Sequence, residues 1–425
     1  MSTFRQNSRT FLLFFLAALA AFGPFVTDFY LPTLPEQTQD FSSTSALVQL
    51  GLSTTMWGLA VGQLFVGPWS DKAGRRTPLA WCLALFTLST LGAAMASSIT
   101  VFLVMRFLEG LGASGAIVMS RSIAADRYTG RELGSFMAIM GAIQGIAPVS
   151  APLLGALIAA SVGWRGIFWL LFAAGAALLA MTLLVLVETH VALRNRKTAT
   201  DATPHATEPV KTSARILFSD PIFVGIVLQQ FLSSAVLFGH ISSSPFILRG
   251  HFGLSAETYG LAFGGLALTL AIGATASARI ADPLKALAWG AFGMFAGALL
   301  LSGSFALDFS ILYSIPSYVI LLVALGLTLP AAMTAALTLH RARAGFAAAI
   351  LGSVSFVGGG LVAPLTTFGD ARFCLSVILV TSTALLSLLS LWLNRHSRSH
   401  QLNDARGEAL ALHQASDSTN STSSH

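Results

Sequence analysis

Runs of about twenty apolar residues alternate with short polar breaks along nearly the whole chain. At about 1.5 Å per residue, each run is long enough to cross roughly 30 Å of hydrocarbon. A bilayer admits only helices or closed barrels, and runs this long and continuously apolar predict helices. The pattern predicts twelve spans, near residues 11–33, 46–68, 77–97, 100–121, 133–160, 164–187, 221–243, 257–279, 285–305, 310–335, 345–368 and 372–393. The expected fold class is an all-α integral membrane protein.

The pattern breaks once near the middle, over a polar and basic stretch from Glu188 to Ser219 that reads as a linker between two groups of six helices. The halves echo each other. Gly134 and Gly141 open the fifth span as Gly345 and Gly352 open the eleventh, and Ala151-Pro152 is matched by Ala363-Pro364 one residue out of step. The expected layout is residues 1–10 as a cytoplasmic N-terminus, 11–187 as a first six-helix bundle, 188–219 as a cytoplasmic linker, 220–394 as a second bundle and 395–425 as a disordered cytoplasmic tail. A pseudo-symmetric 6+6 chain with a central loop is the layout of a two-bundle transporter that holds its substrate near the midplane.

Composition agrees. Of 425 residues 54% are hydrophobic and only 10% charged, far below the quarter or so of charged residues in soluble domains. The net charge of +6 is not a nucleic-acid signal, because the basic residues sit in the breaks. With twelve spans, Arg165, Arg249 and Arg372 fall on one side and Arg106 inside a span, while the rest of the 24 Lys and Arg fall on the other side. By the positive-inside rule that side, with both termini, is cytoplasmic. Arg5 and Arg9 before an apolar run resemble a signal peptide, but the run from Phe11 to Phe29 is longer than a usual signal core. Cys82 and Cys374 lie far apart in apolar spans and carry no disulfide or metal signal.

Few residues in the spans can carry chemistry. Asp28 lies about 25 Å along the first helix and Arg106 about 9 Å into the fourth from the opposite direction, so the two share a slab of the membrane. A carboxylate in low dielectric either pairs with a cation or takes up a proton, which are the two states a proton-coupled site needs. Glu109 lies three residues after Arg106 on the same helix face. It either neutralises Arg106 as a static pair, leaving Asp28 freer to titrate, or titrates itself. The charged stretch from Gly67 to Arg76 reads as a tight hairpin between the second and third spans. Gly67 allows close helix approach, Gly74 breaks the helix, Asp71 accepts from an arginine or a helix end, and Arg75 and Arg76 reach carbonyls or lipid. Its second-half counterpart, Arg279 to Lys285, is degenerate. Gln63, Gln144, Gln229 and Gln230 are polar midspan residues, and His240 falls near the outer surface. Tyr30, Trp57 and Phe231 suit an apolar pocket, although aromatic belts use the same residue types. No Gly-Lys-Ser/Thr nucleotide loop and no catalytic or metal cluster occurs, so an enzyme is not expected, and the energy source is an ion gradient rather than a cofactor.

Asp28-Phe29-Tyr30-Leu31-Pro32, the loop Gly67 to Arg76, Arg106-Phe107-Leu108-Glu109-Gly110 and the run Gly141 to Gly155 together resemble the major facilitator superfamily. Within it they are similar to the twelve-span drug:H+ antiporters of the bicyclomycin/chloramphenicol-resistance (Bcr/CflA) group, as are Trp164 to Phe168 and Ser244 to Leu248. The resemblance covers residues 10–395. It implies a monomeric inner-membrane exporter that exchanges protons for amphipathic small molecules by alternating access, with Asp28, Arg106 and Glu109 in proton coupling. It further implies a gating loop of Gly67, Asp71, Gly74, Arg75 and Arg76 that stabilises the outward-facing state. Gly141, Gly145, Pro148, Pro152 and Gly155 would form an antiporter helix motif sealing the cavity against leak. The cavity would be lined by Tyr30, Trp57, Gln230 and Phe231. Glu109 departs from the group, which usually has glutamine there. The alternative is a proton-coupled carrier for a specific amino-acid-like or nucleoside-like metabolite.

Overall fold

The computed structural model describes residues 9–128, 130–189, 210–340, 343–367 and 369–422; residues 9–10, 130–146, 148–149, 210–214, 344–345, 367 and 397–422 are described by their backbone alone. The first half runs α1 (Arg9–Asp28), a 3-10 turn (Leu31–Thr33), α2 (Leu34–Asp40), α3 (Ser45–Ala73), α4 (Arg76–Ala94), α5 (Ile99–Arg127) and α6 (Gly130–Leu184). The second runs α7 (Val210–Ser219), α8 (Pro221–Ser244), a π-helical turn (Pro245–His251), α9 (Ala256–Ser277), α10 (Pro283–Ala306), α11 (Ile311–Leu339), α12 (Ala344–Val362), a 3-10 turn (Ala363–Thr367) and α13 (Ala371–Thr422).

Helix starts are written in the turns. Thr44, Ser98, Asp220, Ser255 and Asp282 each accept a hydrogen bond from a backbone N–H of the helix that follows, supplying a partner those first-turn donors lack inside the helix. At 55 residues α6 is about 80 Å of helix, far too long for one crossing. Gly163 (φ 67°, ψ −179°) breaks it into two arms in a conformation that L side chains rarely adopt. Among the described residues eleven helices are long and apolar enough to cross a membrane, and one of these, Ser150–Leu184, contains the Gly163 break. With both arms of α6 counted, the twelve-span, all-helical membrane fold expected from the apolar pattern is present.

Helices α1 and α3 to α6 pack into one bundle, and α8 to α13 into another. The bundles meet along α3 against α12 and the first arm of α6 against α9. Close crossings use small residues: a Cβ on Gly110 of α5 would lie 2.0 Å from the Thr55 carbonyl of α3, and one on Gly155 of α6 would lie 1.8 Å from the carbonyl of Phe29. The molecule has an Asp28 end, reached by α1 and α8 and turned at Gly163, and an Arg75 end opposite.

Two expectations are corrected. The hairpin is shorter than Gly67 to Arg76, because α3 continues through Pro68 to Ala73 and the turn is Gly74 and Arg75 alone; the apolar helix preceding Pro68 carries on beyond it. Within the linker, Val210–Ser219 is helical, with Leu217 packed inward while Ile216 and Phe218 remain exposed; residues 190–209 lie outside those described. The last helix is drawn out to Thr422, through a segment from Gln401 to Ala415 rich in the helix formers Ala, Leu, Glu and Gln.

Candidate functional site

Arg106 on α5 is 0% exposed, at the centre of the first bundle. Its guanidinium donates to Glu109 Oε2 at 2.6 Å, to the carbonyl of Val26 on α1 at 2.9 Å and to that of Gly51 on α3 at 3.4 Å. Tyr30 lies face-on to it, 4.3 Å from ring centroid to guanidinium carbon. Phe168 closes over the other rings, and Phe41, Phe102 and Trp164 extend the aromatic lid towards the Asp28 end. Glu109, also 0% exposed, pairs with Arg106 at 2.6 Å, three residues on along one helix face.

Asp28 has no such partner. It is 3% exposed at the last residue of α1, its Oδ1 has no hydrogen-bond partner, and it makes no ion pair among the described residues. The second bundle closes over it. Tyr259 of α9, hydrogen-bonded to Ser244 of α8 at 2.9 Å, lies within electrostatic reach of both Asp28 and Arg249. Arg249 donates to the carbonyl of Pro32 and stands 3.8 Å from Glu36. Gln49 of α3 donates to the carbonyl of Ser242 at 2.7 Å and accepts from Thr366 at 3.0 Å. The Asp28 end is therefore sealed by hydrogen bonds between bundles, over a buried carboxylate without a cation.

Residues 10–364 match the Major Facilitator Superfamily. The chain belongs to that superfamily of transporters. It is 34% identical over 370 residues to the uncharacterized MFS-type transporter YdgK of Bacillus subtilis strain 168, covering 86% of this chain and 90% of that one. It is 27% identical over 377 residues to the multidrug resistance protein MdtL of Escherichia coli O17:K52:H18, covering 88% and 93%. Among solved structures it resembles the D-xylose-proton symporter (TM-score 0.69, 17% identity, 89% and 97% covered). It also resembles a bacterial homologue of the human lysosomal transporter Spinster in an inward-facing and occupied conformation (TM-score 0.70, 18% identity, 92% and 97% covered). These solved structures share the fold with this MFS transporter, which is a carrier and not an enzyme.

The Gly74 turn of this transporter is clamped inside the first bundle. Arg75 donates to Asp126 at the end of α5 (2.8 Å) and to Ser70 (2.8 Å) and Asp71 (2.5 Å) on α3. Glu188, just past α6, accepts the backbone N–H groups of Arg75 (2.8 Å) and Arg76 (3.1 Å). Arg76 donates to the carbonyls of Thr182 and Leu183. Burial opposes the charge on Arg75, but its bonds to Asp126 and Asp71 outweigh that and raise its pKa above the usual arginine value. Gly74 holds φ at 88°, and a Cβ there would strike the Glu188 carboxylate at 2.5 Å. Gly67 corrects the sequence expectation: no atom lies within 4 Å of where its Cβ would be, so it mediates no close helix approach. In the second half Asp282 instead caps α10, and the end of α11 is tied to α8 by His340 to Asp220 at 3.0 Å. Arg75→Ala removes charge-assisted bonds worth roughly 1.5–3 kcal/mol each. It is expected to slow turnover about tenfold or more with little change in cargo affinity, read as a fall in maximal rate at constant half-saturation.

The four expected cavity residues occupy three places. Tyr30 is packed beneath Arg106 inside the first bundle. Trp57 lies on the seam between bundles, its Nε1 2.4 Å from where a Cβ on Gly360 would be. Gln230 donates to Ser355 of α12 at 2.6 Å, and Phe231 backs onto Gly358 of the same helix. His240 is 3% exposed, buried inside the second bundle four residues before the end of α8. Gly141, Gly145 and Pro148 lie in α6 outside the residues whose side chains are described, whereas Pro152 is buried and Gly155 seats the end of α1. Gln49, Thr366, Ser242 and Ser243 are functional positions that the sequence alone did not single out. Three consecutive serines near the end of an apolar span were the available signal.

Proposed function

We propose that this transporter is a proton-coupled antiporter of the Bcr/CflA type, exporting amphipathic small molecules such as chloramphenicol- or bicyclomycin-like antibiotics by alternating access. The carrying observation is Asp28, a buried carboxylate with an unpartnered oxygen beneath the inter-bundle seal, whose natural cation Arg106 is already taken by Glu109. Such a group is held more cheaply neutral than charged in a closed site, so it takes up a proton from the outer side before that end closes over it and gives the proton up once the cavity opens to the cytoplasm. Competition between proton and cargo for the closed state couples their movements. The similarity to MdtL supports a drug as cargo. The distribution of Lys and Arg supports an inner-membrane protein with the Arg75 end and both termini cytoplasmic. No cofactor is required. The chain is proposed to work as a monomer.

The test is a drug-susceptibility panel in an efflux-deficient bacterium expressing the protein, with and without a protonophore. The expected result is a several-fold rise in the inhibitory concentration of chloramphenicol or another amphipathic antibiotic, erased by the protonophore. A rise that survives the protonophore, or protection by no compound alongside uptake of an amino acid or nucleoside, would refute antiport of drugs.

A further inference from the structure

The two bundles have unlike centres at matching positions. Helices α5 and α11 are both 29 residues long and both start after a serine, Ser98 and Ser310. Arg106 and Tyr318 lie at the same distance past those serines. Tyr30 from α1 covers Arg106, and His240 from α8, the second bundle's first spanning helix, covers Tyr318 with ring centroids 5.1 Å apart. Where the first bundle holds an ion pair, the second holds an imidazole and a phenol.

Neither group is satisfied. His240 Nδ1 and the Tyr318 hydroxyl are buried without a hydrogen-bond partner, and the residues are 3% and 1% exposed. An unpartnered buried polar atom of this kind is destabilising, and an apolar side chain of similar shape would avoid that cost. The imidazole stacks flat on Phe263 of α9, centroids 5.7 Å apart and planes 3° from parallel, an arrangement that suits the neutral ring. Of titratable groups on the neighbouring elements, Tyr318 faces it from α11, and Tyr259 lies beyond Phe263 on α9, towards Asp28 and Arg249.

A polar route leads from the seal to this ring. Ser242, Ser243 and Ser244 follow His240 within about one turn, all fully buried. Ser243 donates to the carbonyls of Gly239 (2.8 Å) and His240 (3.3 Å). Ser242 carries the carbonyl that Gln49 of the other bundle holds, and its hydroxyl meets Thr366 at 3.3 Å. Opening the Asp28 end would part Gln49 from Ser242 and expose to water the serine run that follows the ring along α8.

We infer that His240 is a second proton-accepting site of the transport cycle, in the bundle opposite Asp28 and filled from the same end. The proton adds to the free lone pair of Nδ1 when that end is open and leaves from the same nitrogen in the rest of the cycle, with no other bond made or broken. The inference rests on the proposed proton antiport and adds a second titrating group to it.

The experiment is proton-to-cargo stoichiometry and the pH profile of transport in proteoliposomes, with chloramphenicol as cargo, for the wild type, His240→Gln and Tyr318→Phe. His240→Gln is expected to move one proton fewer per chloramphenicol and to lose one ionisation from the pH profile, while transport stays proton-driven through Asp28. Tyr318→Phe is expected to keep the wild-type stoichiometry and shift the midpoint of that ionisation. Unchanged stoichiometry and pH profile in folded His240→Gln make the imidazole a packing residue and overturn the inference while leaving the antiport standing. Where His240→Gln does not fold, Tyr318→Phe decides, and an unmoved midpoint overturns it. Chloramphenicol movement without any proton coupling in the wild type fails the antiport and this inference together.

Discussion

Asp28→Asn abolishes uphill, proton-driven export while the protein still folds and inserts. Asparagine matches the size of the carboxyl and stands in for its protonated form, so the closed Asp28 end, with Gln49 bonded to Ser242 and Arg249 to Pro32, keeps its partners. What disappears is the ability to alternate between a neutral buried group and an ionised hydrated one. Cargo then equilibrates down its own gradient and is no longer concentrated. Imposing a pH gradient on vesicles containing the variant should give no accumulation above the level set by cargo alone, with downhill exchange retained. Full accumulation would remove Asp28 from the coupling site.

Glu109→Gln has the largest expected effect on stability. Among the described residues Glu109 is the only anion bonded to the fully buried guanidinium of Arg106, and removing it leaves Arg106 charged and held by the carbonyls of Val26 and Gly51. Breaking one side of a buried pair costs roughly 3–5 kcal/mol, whereas replacing both sides by apolar groups is often close to neutral. The single variant should therefore show a marked fall in thermal midpoint in detergent, and Arg106→Leu/Glu109→Leu should recover most of it. A single variant as stable as the wild type would mean that Arg106 finds another counter-charge, with Asp28 the nearest alternative along α1.

The fold was legible because apolar length in a bilayer leaves little choice of structure, and the Arg106–Glu109 pair was legible because both residues are on one helix, three apart. The rest depended on pairing between distant segments. Asp126 and Glu188 are 51 and 113 residues from Arg75 and become its partners only when α5 and α6 end beside the Gly74 turn. Gly67 had the same small side chain as Gly110 and Gly155, and only the packing of neighbours separates an open position from a crowded one. The seal was invisible because Gln49, Ser242 and Thr366 come from three separate spans and are ordinary residues in each.

The Arg106–Glu109 pair has an electrical consequence. Because the two charges cancel within one helical turn, the pair adds no net charge to the buried interior of the first bundle, and Asp28 is the group there whose charge changes in the proposed cycle. On the proposed antiport, the membrane potential then acts on the protons and the cargo and on little else of the protein. A neutral cargo makes each inward proton a net transfer of one charge, adding about 2.3 kcal/mol per 100 mV to the drive. A cargo with one positive charge exchanged for one proton makes the cycle electrically silent, so the same carrier would be voltage-driven for one antibiotic and driven by the pH difference alone for another.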